Sequence, residues 1–174
     1  GDFDGIVAGA PAYTYQVLNV SGTWLLQRIF RDNMVGNLAV DTNGDGAYDS
    51  LNLLQVLNRQ VLQACDADDG IIDGVLDNPF SCEFDPLRDL SDLQCPAGVS
   101  SDSCFTDAQL QTITDFYSGP HDDDGIEIYP GKTPGSEMQW INLFVPHAGN
   151  GHAPGMLVGP AGDHMNYLFY EEDP

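Results

Sequence analysis

The sequence predicts a partial α/β fold, in which one buried strand precedes a longer region of helices and loops. Three observations predict it. A short apolar run lies near the beginning of the chain, apolar residues then recur at helical spacing, and stretches rich in Gly, Pro and Asp separate the helical segments. The chain has 174 residues, which is enough to bury a core.

The predicted strand runs from Phe3 to Ala10 and ends before Pro11. It is apolar and rich in small residues, which is typical of a buried strand in a parallel sheet. A parallel strand needs neighbours, and no later segment repeats this pattern. We therefore expect its partners to lie outside this sequence. Since Gly1 is not an initiator Met, we also expect the chain to be an interior piece of a larger protein or a processed product.

Two helices are predicted in the first half of the chain. One starts near Ser21 and ends before Gly36, and the other follows Ser50, which can cap it. Apolar residues recur on one side of each helix. In the first helix they are Trp24, Leu25, Ile29 and Phe30, and in the second they are Leu54, Leu57, Val61 and Ala64.

A third helix has the clearest local signal, because Thr106 and Gln109 form a capping-box pattern. Leu110, Ile113 and Phe116 or Tyr117 continue one apolar face, and Gly119 with Pro120 ends the helix. Two short helices are predicted at Ser136 to Phe144 and at Asp163 to Tyr170. The stretches at 66–104, 119–135 and 146–162 are predicted to be loops.

The charge excludes some classes of partner. Asp and Glu total 27 against 5 Lys and Arg, which gives a net charge of -22. We expect no binding to nucleic acid and no binding to an anionic membrane. No apolar run approaches the roughly 18 residues of a membrane helix. Because 22 of the acids are Asp, we expect turns, helix caps and calcium loops, although a solvated acidic surface is an alternative explanation.

The four cysteines favour two disulfides over a zinc site, since their number is even and no His lies at a ligand spacing from them. Disulfides favour a secreted protein, extracellular or periplasmic. The four are Cys65, Cys82, Cys95 and Cys104.

The acidic loop at 66–75, DADDGIIDGV, is the strongest candidate site in the sequence. Carboxylates of Asp66, Asp69 and Asp73 alternate with glycines that permit a tight loop, and Ile71 and Val75 can add backbone carbonyls. Calcium takes six to eight such oxygens at about 2.4 Å. The three acids would repel one another without a neutralising ion. The alternative is an Asp-rich surface turn that binds no metal.

A second acidic loop, at 41–49, matches an EF-hand-type calcium loop at positions one, three, five, six and nine. The match fails at position twelve, where Asn52 replaces the bidentate Glu. Either a weak metal site or an ordinary turn before the second helix is compatible with this pattern.

No catalytic set can be assembled from the sequence, which contains no Gly-x-Ser-x-Gly motif. The histidines are at 121, 147, 152 and 164, and we interpret them as surface residues. The last three are close in sequence, but their spacings match no usual zinc site.

Several segments, in this order and at this spacing, together resemble the tannase and feruloyl esterase family. The resemblance covers roughly residues 1 to 140 well and the last thirty weakly. The segments are DFDGIVAGAPA, ACDADDGIIDGVLDNPFSCEFDP, a Cys pair running into CFTDAQ, then FYSGP, YPG and PGSEMQW.

This resemblance implies a secreted α/β-hydrolase that cleaves esters of phenolic acids such as gallate or ferulate, with a lid inserted into the hydrolase core. Residues 1–11 would belong to the core, soon after the nucleophile elbow, and residues 12–174 to the lid. The family's serine would precede Gly1 and its acid and His would follow Pro174. The resemblance thus implies no catalytic residue in this chain, and we expect the chain alone to be inactive.

The resemblance also implies a site for calcium and a disulfide pairing. Its lid disulfides correspond to Cys65–Cys82 and Cys95–Cys104. Aromatic side chains of the lid can stack on a phenolic group, but we interpret Trp140, Phe144, Tyr167 and Tyr170 as core and assign none to substrate. The family's calcium ligands correspond to Asp66, Asp69, Ile71, Asp73 and Val75.

The loop at 41–49 departs from the family pattern and looks more like the calcium loop of a dockerin module. The rival hypothesis is therefore a calcium-dependent module that binds a partner protein. A dockerin needs two similar loop-helix repeats, however, and the loop at 66–75 has different ligand spacing.

Overall fold

The computed structural model describes residues 14–150, the last by its backbone alone, together with Gly5, Val7 and Gly9. The predicted strand at Phe3 to Ala10 and the predicted helix at Asp163 to Tyr170 lie outside the continuously described residues. Within residues 14–150 there are helices and turns but no β-strand, and extended segments meet only as isolated bridges. The helices are α1 (Tyr15–Met34), α2 (Asn52–Cys65), α3 (Pro86–Asp89), α4 (Asp107–Ser118) and α5 (Trp140–Leu143).

Helix α1 begins at Tyr15, six residues earlier than predicted. Its N-cap, Thr14, has a left-handed backbone and makes no side-chain capping hydrogen bond, so the usual capping signal is missing at this start. The helix breaks near its end, where Asp32 and Asn33 have φ values of 48° and 63°. None of the described helices, α1 included, is long and apolar enough to cross a membrane.

Helix α2 begins at Asn52, and its N-cap position is Leu51, one residue after the predicted cap Ser50. Ser50 Oγ nevertheless accepts the N–H of Asn52, the first residue of the helix, at 3.3 Å. The Ser50 hydroxyl also donates to Asp102 Oδ2 at 2.8 Å, because a hydroxyl can donate one hydrogen bond while accepting another. Leu54, Leu57 and Val61 are buried as predicted, whereas Ala64 is exposed and Cys65 is buried in its place.

Helix α4 confirms its sequence signal. The Gln109 N–H donates to Thr106 Oγ1 at 3.3 Å, and the Thr106 N–H donates to Gln109 Oε1 at 2.9 Å. This reciprocal pair is the predicted capping box. The helix ends at Gly119, whose φ of +71° suits glycine, and an added Cβ there would lie 2.5 Å from Tyr129 O.

The segment predicted as one helix from Ser136 to Phe144 is a 3-10 turn, Glu137–Gln139, followed by the single turn of α5. Trp140 and Phe144 each have only 1% of their surface exposed. The Phe116 ring lies 4.9 Å from that of Trp140 and 5.4 Å from that of Phe144. These two aromatics are core residues, as predicted, while Tyr167 and Tyr170 lie outside the described residues.

One hydrophobic core joins α1, α2, α4 and α5, and each fully buried large side chain contributes about 1.5–3 kcal/mol. A closed loop precedes α4, where the disulfide between Cys95 and Cys104 spans a sequence separation of 9. Two backbone hydrogen bonds of 2.8 Å close the base of that loop, from Cys95 N to Phe105 O and from Phe105 N to Leu93 O. The largest buried side chains of the core are Trp140, Phe105, Phe116, Phe144, Leu25, Ile29, Leu38, Leu53, Leu54, Leu57, Leu90 and Ile113.

Candidate metal centre

The acidic loop at 66–75 starts where α2 ends. Cys65, the last residue of α2, is buried and forms a disulfide with Cys82. The disulfide pairing is the one that the family resemblance implied, here and at Cys95–Cys104. The loop therefore begins directly after a buried residue of α2, and the segment that follows it is bonded covalently to that same residue through Cys82.

Asp66 is the buried carboxylate of this loop, with 8% of its surface exposed. The N–H of Gly74 donates to both of its oxygens, at 3.0 Å to Oδ1 and 3.1 Å to Oδ2. This bond joins the two ends of the loop across eight residues. An ionised carboxylate has about four acceptor positions, so one shared N–H leaves capacity for further partners.

Asp69 and Asp73 shape the loop locally. Each uses its Oδ1 to accept the backbone N–H two residues further on, from Ile71 at 2.8 Å and from Val75 at 3.1 Å. These are Asx turns, which Asp forms readily. The two glycines after them permit the left-handed backbone that the turns require, with φ +90° at Gly70 and +83° at Gly74.

The donor chemistry of the loop fits calcium, because the proposed ligand set contains only carboxylate and carbonyl oxygens. Its carboxylates are nevertheless not gathered. Among the described residues, no three His, Cys, Asp or Glu side chains lie close enough together to hold a metal ion. The structure thus places Asp66, Asp69 and Asp73 in one tight loop without bringing their carboxylates to one point.

The far end of the loop packs on the core through Leu76. A Cβ added to Gly135 would lie only 2.7 Å from Leu76 Cδ1, so these two residues are in close contact. Gly135 has φ +88°, a conformation that glycine adopts without strain.

Glu137 lies next to that contact and was not identified as a functional residue from the sequence. Its side chain is fully buried, and it accepts hydrogen bonds from Asn58 Nδ2 at 2.7 Å, Tyr117 OH at 2.8 Å and Gly135 N at 2.7 Å. Burial, together with the charge of Glu137, raises the pKa of the Tyr117 phenol. No sequence pattern distinguishes this Glu from an exposed one, since its partners come from distant parts of the chain.

The second acidic loop, at 41–49, satisfies its acids with its own backbone and side chains. Asp41 Oδ1 accepts from Gly44 N at 2.7 Å and Oδ2 accepts from Gly46 N at 2.9 Å. These bonds, with Gly46 contributing most, lower the pKa of the Asp41 carboxyl. Asp49 accepts the Thr42 hydroxyl at 2.9 Å. The EF-hand-like pattern therefore forms a hydrogen-bonded turn, and a metal in it stays a prediction.

A polar cleft of about 550 Å³ borders the Cys65–Cys82 disulfide. Its one cation, Arg88, is engaged by Asp89 Oδ1 at 2.7 Å, and this contact raises the pKa of Arg88 and lowers that of Asp89. Ser81, which also lines the cleft, donates its hydroxyl to Asn78 O at 2.8 Å. The cleft does not present this serine to a catalytic base.

The histidines do not form a group in the described residues. His121 is exposed, with Nδ1 3.0 Å from Gly119 O, and His147 is half-buried. His152 and His164 lie outside the described residues.

The chain matches the family model described as "Tannase and feruloyl esterase" over residues 1–157. An esterase of Xanthomonas campestris pv. campestris is 36% identical over 162 residues, which cover 88% of this chain and 25% of that protein. A probable feruloyl esterase B-1 of Aspergillus flavus is 31% identical over 143 residues, covering 82% of this chain and 24% of that protein.

The crystal structure of feruloyl esterase B from Aspergillus oryzae superposes with a TM-score of 0.73 at 25% identity, covering 98% of this chain and 30% of that one. That of an esterase from the same organism gives a TM-score of 0.69 at 26% identity, covering 98% and 29%. The chain thus spans about a quarter of the length of the curated relatives it matches.

Proposed function

Because the chain belongs to the tannase and feruloyl esterase family, we propose that it is part of a serine carboxylic-ester hydrolase acting on phenolic esters such as feruloyl or galloyl esters. The observation that carries the proposal is the family match over residues 1–157, supported by the likeness to feruloyl esterase B. The phenolic ester is then the substrate of the complete enzyme.

In this proposal the described residues form a lid over an α/β-hydrolase core. Residues 1–11 belong to that core and residues 12–174 to the lid, while the serine, acid and histidine come from elsewhere in the complete enzyme. There the histidine takes the serine proton and backbone N–H groups hold the oxyanion. The helical, loop-rich character of residues 14–150 supports a covering role.

We further propose that the lid binds one calcium ion through Asp66, Asp69 and Asp73 and the carbonyls of Ile71 and Val75. When bound, the ion would supply positive charge that offsets the repulsion among the three carboxylates. The buried carboxylate of Asp66 and the Asx turns of Asp69 and Asp73 support this assignment. A secreted enzyme is proposed because two disulfides persist best in an oxidising compartment.

The experiment compares this chain with the protein encoded by the complete reading frame that contains it. Both are assayed with methyl ferulate and methyl gallate. We expect the complete protein to hydrolyse at least one ester and this chain to hydrolyse neither. Turnover by this chain, or the absence of turnover by the complete protein, would overturn the proposal.

A second candidate function is a calcium-dependent, dockerin-like interaction module. The observation that favours it is the loop at 41–49, closed on itself and followed directly by α2. If the complete protein is inactive on esters but binds a partner protein only with calcium present, this second function replaces the first.

A further inference from the structure

A single buried carboxylate joins three elements around the candidate metal loop. Glu137 accepts hydrogen bonds from Asn58 on α2, from Tyr117 on α4 and from the backbone N–H of Gly135. These bonds are 2.7–2.8 Å long, and no part of Glu137 is exposed to solvent. Loss of the Glu137 carboxylate would therefore remove hydrogen bonds from α2, from α4 and from the turn at Gly135 together.

Hydrogen bonds, rather than an ion pair, compensate this carboxylate. The ion pairs within the described part of the chain are Arg28–Asp115 and Arg88–Asp89, and neither involves Glu137. All three of its partners donate in the bonds they make to it. In this arrangement Glu137 only accepts, and an ionised carboxylate has no hydrogen to donate, whereas an amide carries two.

The same carboxylate is linked to both ends of the metal loop. At the start of the loop, Asn58 is on α2, whose last residue precedes Asp66. At the end, Leu76 follows the proposed ligand Val75 and contacts Gly135, whose N–H is bound to Glu137. Glu137 thus bonds both the helix that precedes the loop and the glycine against which the residue after the loop packs, in addition to the Asp66–Gly74 hydrogen bonds and the disulfide that close the loop itself.

We propose that Glu137 is a positioning residue for the metal loop, holding α2 before the loop and Gly135 beside its far end so that the loop keeps the backbone conformation from which it binds calcium. The proposal rests on the calcium site proposed above. It predicts that the loop depends on Glu137 even before metal is added, because the contacts involved contain no metal.

The first measurement is hydrogen-deuterium exchange of residues 66–76 with excess chelator, on the wild type and on Glu137→Gln. The variant places an amide NH2 opposite the Asn58 NH2, so we expect exchange in the loop to be about tenfold faster. Exchange in the Cys95–Cys104 segment is the internal reference. Asp115→Asn is the matched control, because it is also a change from carboxylate to amide, it breaks the Arg28 ion pair, and it should leave the loop unchanged.

The second measurement is the calcium dissociation constant by isothermal titration, at a temperature where circular dichroism shows every variant folded. We expect Glu137→Gln to weaken binding about tenfold, since coupling between linked sites is commonly of this size. The double variant Glu137→Gln with Asn58→Asp exchanges donor and acceptor at the same net charge. It should restore most of the affinity and slow the exchange again.

Unchanged exchange in residues 66–76 of Glu137→Gln overturns the proposal, as does equal acceleration in the reference segment or in Asp115→Asn. If the wild type binds no calcium but the exchange result holds, the metal assignment fails while the positioning of the loop by Glu137 stands. The two failures are therefore distinguishable.

Discussion

The two acidic loops, at 41–49 and 66–75, have similar compositions but are closed in different ways. The first is closed by backbone pairing, with hydrogen bonds of 2.9 and 3.0 Å between Val40 and Ser50. The second is closed by the Cys65–Cys82 disulfide and by packing of Leu76 on Gly135. Similar stretches of Asp and Gly thus give a self-contained turn in one case and a loop anchored to the core in the other.

The carboxylates differ accordingly. Asp41 is bound by the backbone of its own loop, whereas Asp66 is 8% exposed and bound by a single N–H from the far end of its loop. The comparison teaches that the residues on either side of an acidic loop, rather than its Asp and Gly residues, decide whether the loop is anchored to the core. Val40 and Ser50 pair with each other, whereas Cys65 and Leu76 bind or contact other parts of the fold.

Removing the Cys65–Cys82 disulfide should have the largest effect on this comparison. Replacing both cysteines by Ala should lower the free energy of unfolding by about 3 kcal/mol, because the unfolded chain loses a closed loop with a sequence separation of 17. Urea unfolding at pH 7 measures this loss. The amide resonances of Gly44 and Gly46 should not move in the folded variant; a shift there would contradict the independence of the two loops.

Calcium should stabilise the protein through the loop at 66–75 and not through the loop at 41–49, and its effect on stability should be slightly smaller than that of the disulfide. At a hundredfold excess over the dissociation constant, metal adds about 2.7 kcal/mol to the folded state, so chelation should lower the melting temperature by roughly 5–10 °C. Asp66→Asn should abolish this difference, and Asp41→Asn should retain it. Differential scanning calorimetry with and without chelator provides the measurement. Loss of the difference in Asp41→Asn alone would assign the metal to the other loop.

Acid should affect the 41–49 loop through Asp41, with the smallest effect of the three. The N–H groups of Gly46 and Gly44 hold the pKa of Asp41 below its ordinary value of 3.8. Its contribution to stability is therefore complete above that ordinary value and is lost as the pH falls through the lower, folded value. Asp41→Asn should flatten the pH dependence of urea unfolding between about pH 5 and pH 2. Parallel curves for the two proteins would show that the carboxylate contributes nothing.

The features predicted correctly from the sequence are local ones. The capping box of α4 involves Thr106 and Gln109, which are three residues apart. The end of the helix was predicted from Gly119 and Pro120, which are adjacent in the sequence. Likewise, the acidic loops were predicted as loops from Asp alternating with Gly, and the Asx turns that shape them span only two residues. The disulfide pairing came from the family resemblance, since spacing alone left it open.

The features missed include contacts between residues far apart in the chain. Ser50 accepts the Asn52 N–H from the position before the N-cap, but its own hydroxyl donates to Asp102, 52 residues away. Glu137 binds Asn58 across 79 residues, so the local sequence does not indicate that it is buried. Tertiary contacts decided the partners of these two residues over local propensity. The start of helix α1 at Tyr15 was missed because its N-cap, Thr14, makes no side-chain capping hydrogen bond.

The Cys95–Cys104 loop has a consequence for how the protein survives proteases. Residues 96–100 are exposed, which makes them a natural site for cleavage. The Cys95–Cys104 disulfide and the backbone hydrogen bonds that Phe105 makes with Cys95 and Leu93 lie at the base of the loop. A cut within residues 96–100 leaves two polypeptides that remain covalently joined. The nicked protein therefore migrates as one band on a non-reducing gel and separates into two only after the Cys95–Cys104 disulfide is reduced.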